Sequence, residues 1–205
     1  MTFQITTESF HKLFPYAKNP ATFADALNTY LPEYEINTDA RIKMFLAQCG
    51  QECEGFTCFI ENLNYSAEAL LKTWPTRFDK ELAESSARNP EAIANIAYGG
   101  RLGNITAGDG WKFRGAGAIQ LTGRNIQVAF AKAVGMNVDG LHIYLLTEEG
   151  AVRSACWFWK NNGCNHFADN NDFEGLTKRI NGAYNGLKER KELLAKVEGV
   201  LYETT

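Results

Sequence analysis

Apolar residues recur at three- and four-residue steps near 7–17, 22–31, 39–53, 66–74, 79–88, 90–98, 123–134, 147–162, 172–180 and 186–203, and this repeat constrains the chain more than any other feature. Each such segment buries one stripe, so the pattern predicts a mainly α fold in which helices pack on helices. Several boundaries carry their own chemistry. Asp39 is placed to cap the third segment, Ser66 the fourth, and Asn89 with Pro90 the sixth, which Gly99 and Gly100 would stop. With 205 residues, 45% of them hydrophobic, the chain can bury a sizeable core, and its length suggests a single domain over 1–205 that two lobes around a groove would satisfy.

The stretch from Gly99 to Gly117 breaks the helical pattern and holds seven of the 18 glycines. Glycines permit unusual backbone angles and close approach of a ligand to the main chain. Tyr98, Trp111, Phe113, Arg101 and Arg114 add stacking faces and charged donors, which suits sugars: an aromatic ring covers the apolar face of a pyranose while planar donors take its hydroxyls. The AIQLTG run that follows reads as a short strand.

A net charge of -3 and interspersed charges argue against a nucleic-acid partner, which needs a clustered basic face. Cys49, Cys53, Cys58, Cys156 and Cys164 are odd in number and lack a CxxC pair, so buried, reduced thiols are expected. His11, His142 and His166 have no metal-ligand spacing, and neither a metal nor a cofactor is expected. No basic leader and no apolar run approaching roughly 18–20 residues is seen, so the expectation is a soluble chain made in the cytoplasm without a signal peptide and without stable membrane association.

Among the acids, Glu52 stands out. It lies on the face of the third segment that Ile42, Phe45, Leu46, Cys49 and Cys53 define, so its carboxyl should emerge beside the core, where desolvation raises a carboxyl pKa as a general acid requires. Glu61 follows, and on one continuous helix it would lie about 13.5 Å farther along the axis. Gly55 is placed to end the helix between them, so that Glu61 can turn back to face Glu52 across a groove. Inverting glycosidases need two carboxyls about 6.5–9.5 Å apart, with a water on the far side of the sugar.

Four blocks then carry a resemblance: FLAQCGQECEGF from Phe45, ENLNYSAEALLKTW from Glu61, GDGWKFRGAGAIQLTGR from Gly108 and TKRINGAYNGLKER from Thr177. Together they resemble family 19 glycoside hydrolases, the chitinase-like enzymes, and within them the compact phage and prophage endolysins, over about residues 39–195. The resemblance implies a lysozyme-like two-lobed helical domain with a glycine-rich loop and at most a short β element beside the groove. It also implies inverting cleavage of β-1,4 links in N-acetylated glucosaminoglycans. Glu52 matches the family's general acid and Glu61 the base that activates water; Thr122 matches a hydroxyl that helps hold that water, and Gln120 and Asn181 match groups that bind acetamido sugars. Asn64, Tyr65, Tyr98, Trp111, Arg114 and Asn185 are nominated as groove walls. The chain departs from the family at Gln51 (usually His), Glu54 (usually Gly), Ala116 (usually Arg), and Ile126 with Gln127 (usually Asn-Tyr).

The expected partner is a polysaccharide, peptidoglycan in first place and chitin as the alternative, met by a monomer after release by a separate route. Two rivals remain: a Cys/His amidase or endopeptidase using Cys53 or Cys58 with His142 or His166, and a wall-binding module without turnover. Trp157, Phe158 and Trp159 are expected in the core, and Arg190 is expected to pair with Glu174, Glu192 or solvent.

Overall fold

The structure, a computed structural model, describes residues 4–202. They form α1 (Thr7–Leu13), α2 (Pro20–Glu33), α3 (Asp39–Glu52), α4 (Ala67–Thr73), α5 (Lys80–Ser86), α6 (Pro90–Tyr98), α7 (Asp109–Lys112), α8 (Arg124–Val134), α9 (Val138–Leu145), α10 (Glu148–Asn161), α11 (Cys164–Asp169), α12 (Phe173–Asn181) and α13 (Leu187–Tyr202). The mainly α expectation holds. Most helices begin where a short polar side chain takes an otherwise orphaned amide: Ser66 accepts from Ala69, Asp79 from Leu82, Asn89 from Ala92, Thr147 from Gly150 and Asp172 from Gly175.

Four details differ from the periodic reading. The cap of α3 is Thr38, which accepts from the Arg41 amide, and Asp39 is its first helical residue. The first helix stops at Leu13, because Pro15 forces Phe14 out of helical angles, to φ -129° and ψ 74°. AIQLTG is not a strand: Leu121 bonds back to Ala116 and Gly123 to Phe113, closing turns, and Ile60 with Ala116 makes the sole isolated bridge outside named strands among the described residues. Its buried Ala118, Ile119 and Leu121 give it the apolar look of a strand. Finally, α7, α9 and α11 went unread, since one or two turns are too short for a repeat to show.

The chain divides into two compact units. The first runs to Phe59, takes in Gly117–Ile119, and resumes at Tyr144. Its core joins α1–α3 to α10–α13 through an aromatic cluster of Phe10, Phe14, Phe23 and Phe56, with Phe45 edge-on to Trp159. Trp159 is fully buried and Trp157 and Phe158 pack against the same core, as expected. The second unit comprises Ile60–Ala116 and Gln120–Ile143. One of its cores gathers Leu63, Leu70, Phe78, Ile93 and Ala97, and Tyr65, Trp74, Tyr98 and Trp111 pack against it.

Candidate active site

In the first unit, Glu52 is the last residue of α3, the end at which helix carbonyls point outward and a negative charge is least welcome. Arg190, from α13, answers it. Its Nη2 donates to Glu52 Oε1, its Nη1 to Gln48 Oε1, and its Nε to the Asn185 carbonyl at 3.1 Å. Gln48 in turn donates to Thr177 Oγ1 at 2.8 Å, and that hydroxyl donates to the Phe173 carbonyl at 2.9 Å. Gln48, Thr177 and Arg190 are buried, so the hydrogen-bonded chain runs through low-dielectric protein before it reaches Glu52. The surroundings of Glu52 are therefore ionic, which corrects the expectation of an apolar setting. Arg190 pairs with neither Glu174 nor Glu192; Glu174 takes Lys191 instead.

The chain leaves α3 through three consecutive left-handed residues, Glu54, Gly55 and Phe56, at φ 51°, 68° and 62°. The Gly55 amide bonds back to the Gly50 carbonyl at 2.7 Å, which closes the helix end as expected, and Phe56 is anchored in the aromatic cluster. Glu54 is exposed.

In the second unit, Glu61 is fixed by two donors. Tyr98 donates its hydroxyl to Oε1, and the Gly115 amide donates to Oε2 at 3.1 Å, while the Glu61 amide bonds the Gly115 carbonyl at 3.0 Å. Burial first, and the bond to Glu61 second, push the Tyr98 phenol pKa up, so it stays a donor. Gln120 and Thr122 converge on the same spot: a Cβ on Gly115 would stand 2.7 Å from Gln120 Oε1, 3.0 Å from Thr122 Oγ1 and 3.2 Å from Glu61 Oε2. Only glycine allows the three polar groups to close in this way. The glycine-rich stretch is thus a built scaffold. Its Asp109, itself buried, accepts from the Ile105 and Thr106 amides and pairs with Arg124 at 2.6 Å.

The other nominated residues fall into smaller groups. Arg114 stacks over the Trp111 ring at 3.7 Å and donates to the Trp111 carbonyl at 2.8 Å. Tyr65 packs on Trp74 with ring centres 5.0 Å apart and lies within electrostatic reach of Glu61, whereas Asn64 is exposed and contributes its carbonyl to Arg88. Asn181 ends α12 with its Oδ1 buried and without a partner among the described residues, and Asn185 is exposed. Ala116 is buried, and Gln127 straps the loop by donating to the carbonyls of Arg114 and Leu121, so these two departures are structural here. His142 has both ring nitrogens buried without a partner among the described residues, and burial, then the Arg114 charge, lower its pKa to about 4.

The sequence reading missed Arg190 and Gln48 as partners of the acid. Their only signal is position: Gln48 is one helical turn before Glu52, and Arg190 is a lone cation on an otherwise apolar helix face. Cys53 is a poor nucleophile, since its thiol is buried, donates to the Cys49 carbonyl and has its pKa raised by desolvation.

No protein-family model matches the chain. In sequence it is similar to a glycosyl hydrolase family 19 domain-containing protein of Haemophilus influenzae, 39% identical over 196 residues that cover 94% of this chain and 95% of the relative. In structure it is similar to chitinase C from Streptomyces griseus, with a TM-score of 0.64 and 18% identity over 98% of this chain and 93% of that one. A bacterial family 19 chitinase gives a TM-score of 0.65 at 17% identity, over 97% of this chain and 95% of that one. A class IV family GH19 chitinase from Zea mays gives 0.57 at 17% identity, over 92% and 84%. At such identities the likeness speaks for the fold alone, the helical lysozyme-like fold expected from the sequence.

Proposed function

The chain belongs to glycoside hydrolase family 19, and from that premise we propose that it hydrolyses β-1,4 links of peptidoglycan by inversion, with Glu52 as acid and Glu61 as base. The observation that carries the reading is the setting of Glu61: two donors orient its carboxylate, and Gln120 and Thr122 close on the same point around Gly115. A carboxylate so fixed can accept a proton from water while Thr122 holds that water in line. The oxygen left on the water attacks the anomeric carbon. Arg190 occupies Glu52 Oε1, so the proton that Glu52 gives to the leaving sugar oxygen is carried on Oε2. The bond from the anomeric carbon to that oxygen breaks, and the product sugar has inverted configuration.

The four endolysin-like sequence blocks support peptidoglycan as the substrate. The solved structures of like fold are named chitinases, and this favours chitin as a second reading. Digestion of purified peptidoglycan and colloidal chitin side by side, with mass spectrometry of the new reducing ends, decides between them. Glu52→Gln and Glu61→Gln should each lower the rate at least about a hundredfold while leaving the fold intact. Free amines in place of reducing ends, or wild-type rates in both variants, would sink the proposal.

A further inference from the structure

The last turn of α3, with Glu54 and Gly55 beyond its cap, forms one wall of a pocket of about 400 Å³ in the first unit; the end of α1 with the residues after it and one face of α13 form the others. The size suits a small ligand. Its floor is apolar and tightly built: a Cβ on Gly50 would come within 2.6 Å of the Phe14 ring and 2.7 Å of Leu193 Cδ2. Its rim is acidic, with Glu54 and Glu192 flanking Gln51. Lys196 is the cation in the lining among the described residues, and its ammonium donates to the Leu13 carbonyl at 2.5 Å, so the lining carries two carboxylates to one ammonium. Glu54 meets no cation among the described residues, and Glu192 has only the exposed Lys188 at 3.8 Å. An occupant that brings apolar groups to the floor and a positive charge to Glu54 on the rim complements this lining.

Gln51 and Glu54 both line this pocket. Glu54 holds φ 51°, a backbone state that glycine takes at little cost and a glutamate does not.

We propose that this pocket binds the peptide stem of peptidoglycan, with the free side-chain ammonium of the stem's diamino acid paired to Glu54 and Glu192 and its alanyl methyls on Phe14 and Leu193. The inference rests on peptidoglycan being the substrate. It deepens that reading, because chitin has acetamides and hydroxyls but no ammonium-bearing peptide to offer. Gln51, Glu54 and Gly55 belong to the segment that carries Glu52, so a stem held here is held by the acid's own helix end.

The test is an amide NMR titration of the full chain with the free tetrapeptide stem, the same peptide acetylated on its side-chain amine, and an N-acetylglucosamine oligomer. The free stem should shift the Gly50, Gly55 and Leu193 signals saturably. Acetylation, Glu54→Gln or Glu192→Gln should each weaken binding about fivefold, with the rest of the spectrum unchanged. No saturable shift, or equal binding by the acetylated peptide and by both variants, overturns the proposal. Reducing ends released from peptidoglycan are scored separately. Their release without stem binding removes the pocket and leaves the hydrolase reading, while stem binding without their release does the reverse.

Discussion

Arg190 and Glu52 form an ion pair in which the cation is the more deeply buried partner, with side-chain exposures of 3% and 20%. Its guanidinium is committed on three sides, to Glu52, Gln48 and the Asn185 carbonyl, so the acid is held by a group that cannot itself move freely. The planar fork of arginine can meet all three acceptors at once, and a lysine ammonium cannot.

Arg190→Ala should therefore cost about 3 kcal/mol of stability, since it strands buried acceptors and a carboxylate at a helix end. It should also lower kcat about tenfold or more with little change in KM, as expected of a positioning residue. Arg190→Lys should recover part of the stability and little of the rate. Urea unfolding and steady-state kinetics read the two effects apart. A purely structural Arg190 would leave kcat untouched in the folded fraction.

Tyr98→Phe removes one of the two donors that orient Glu61 and keeps the ring in its packing against Trp74. A bond from a neutral donor to a charged group contributes about 1.5–3 kcal/mol, so kcat should fall roughly tenfold to a hundredfold. Because the phenol's pKa is pushed up by burial and by Glu61, no ionisation of Tyr98 should mark the alkaline limb of the wild-type profile. An unchanged kcat in Tyr98→Phe would show that the Gly115 amide holds Glu61 unaided.

Glu54→Gly should raise stability by about 0.5–1 kcal/mol, the left-handed strain relieved less the extra freedom a glycine gains in the unfolded chain. The closing bond from the Gly55 amide to the Gly50 carbonyl needs no side chain at residue 54 and should persist. Chemical denaturation measures the gain. The same variant should weaken binding of the free peptide stem about fivefold, so that stability rises as recognition falls; a loss of stability would mean that the Glu54 side chain supports the fold.

The sequence announced the helices because repeats over three or more turns survive in any packing arrangement, as in α3, α10 and α13. It failed on α7 and α11, which are held by neighbours rather than by a repeat, and on AIQLTG, where burial on all sides mimics a strand. Glu61, Thr122 and Gln120 were legible because their blocks resemble a family, and Tyr98 because it is an aromatic bordering the glycine-rich stretch; the structure brings these four together in the second unit. Arg190 was not legible. Its partnership with Glu52 spans 138 residues, and no local spacing encodes a contact of that range.

His142 offers an acid-dependent signal from the second unit. Its ring nitrogens are buried without partners, and its pKa is lowered from the ordinary 6.5 to about 4, mainly by desolvation and further by Arg114. A folded-state pKa below the unfolded one means that the unfolded chain takes up a proton the folded chain refuses. The associated stability is present in full above about pH 6.5 and is lost as pH falls toward 4. For a ring only partly withdrawn from water, the loss should be about 1–2 kcal/mol once solvent screening is allowed for. Carboxylates elsewhere also titrate in this window, so the measurement is a difference: His142→Leu should lose less stability than the wild type between pH 7 and pH 4.5, by that amount. An imidazole titration by NMR should place the folded midpoint near 4. A midpoint near 6.5, or parallel stability curves for the two proteins, would mean that water reaches the ring and that the burial argued for it is not maintained in solution.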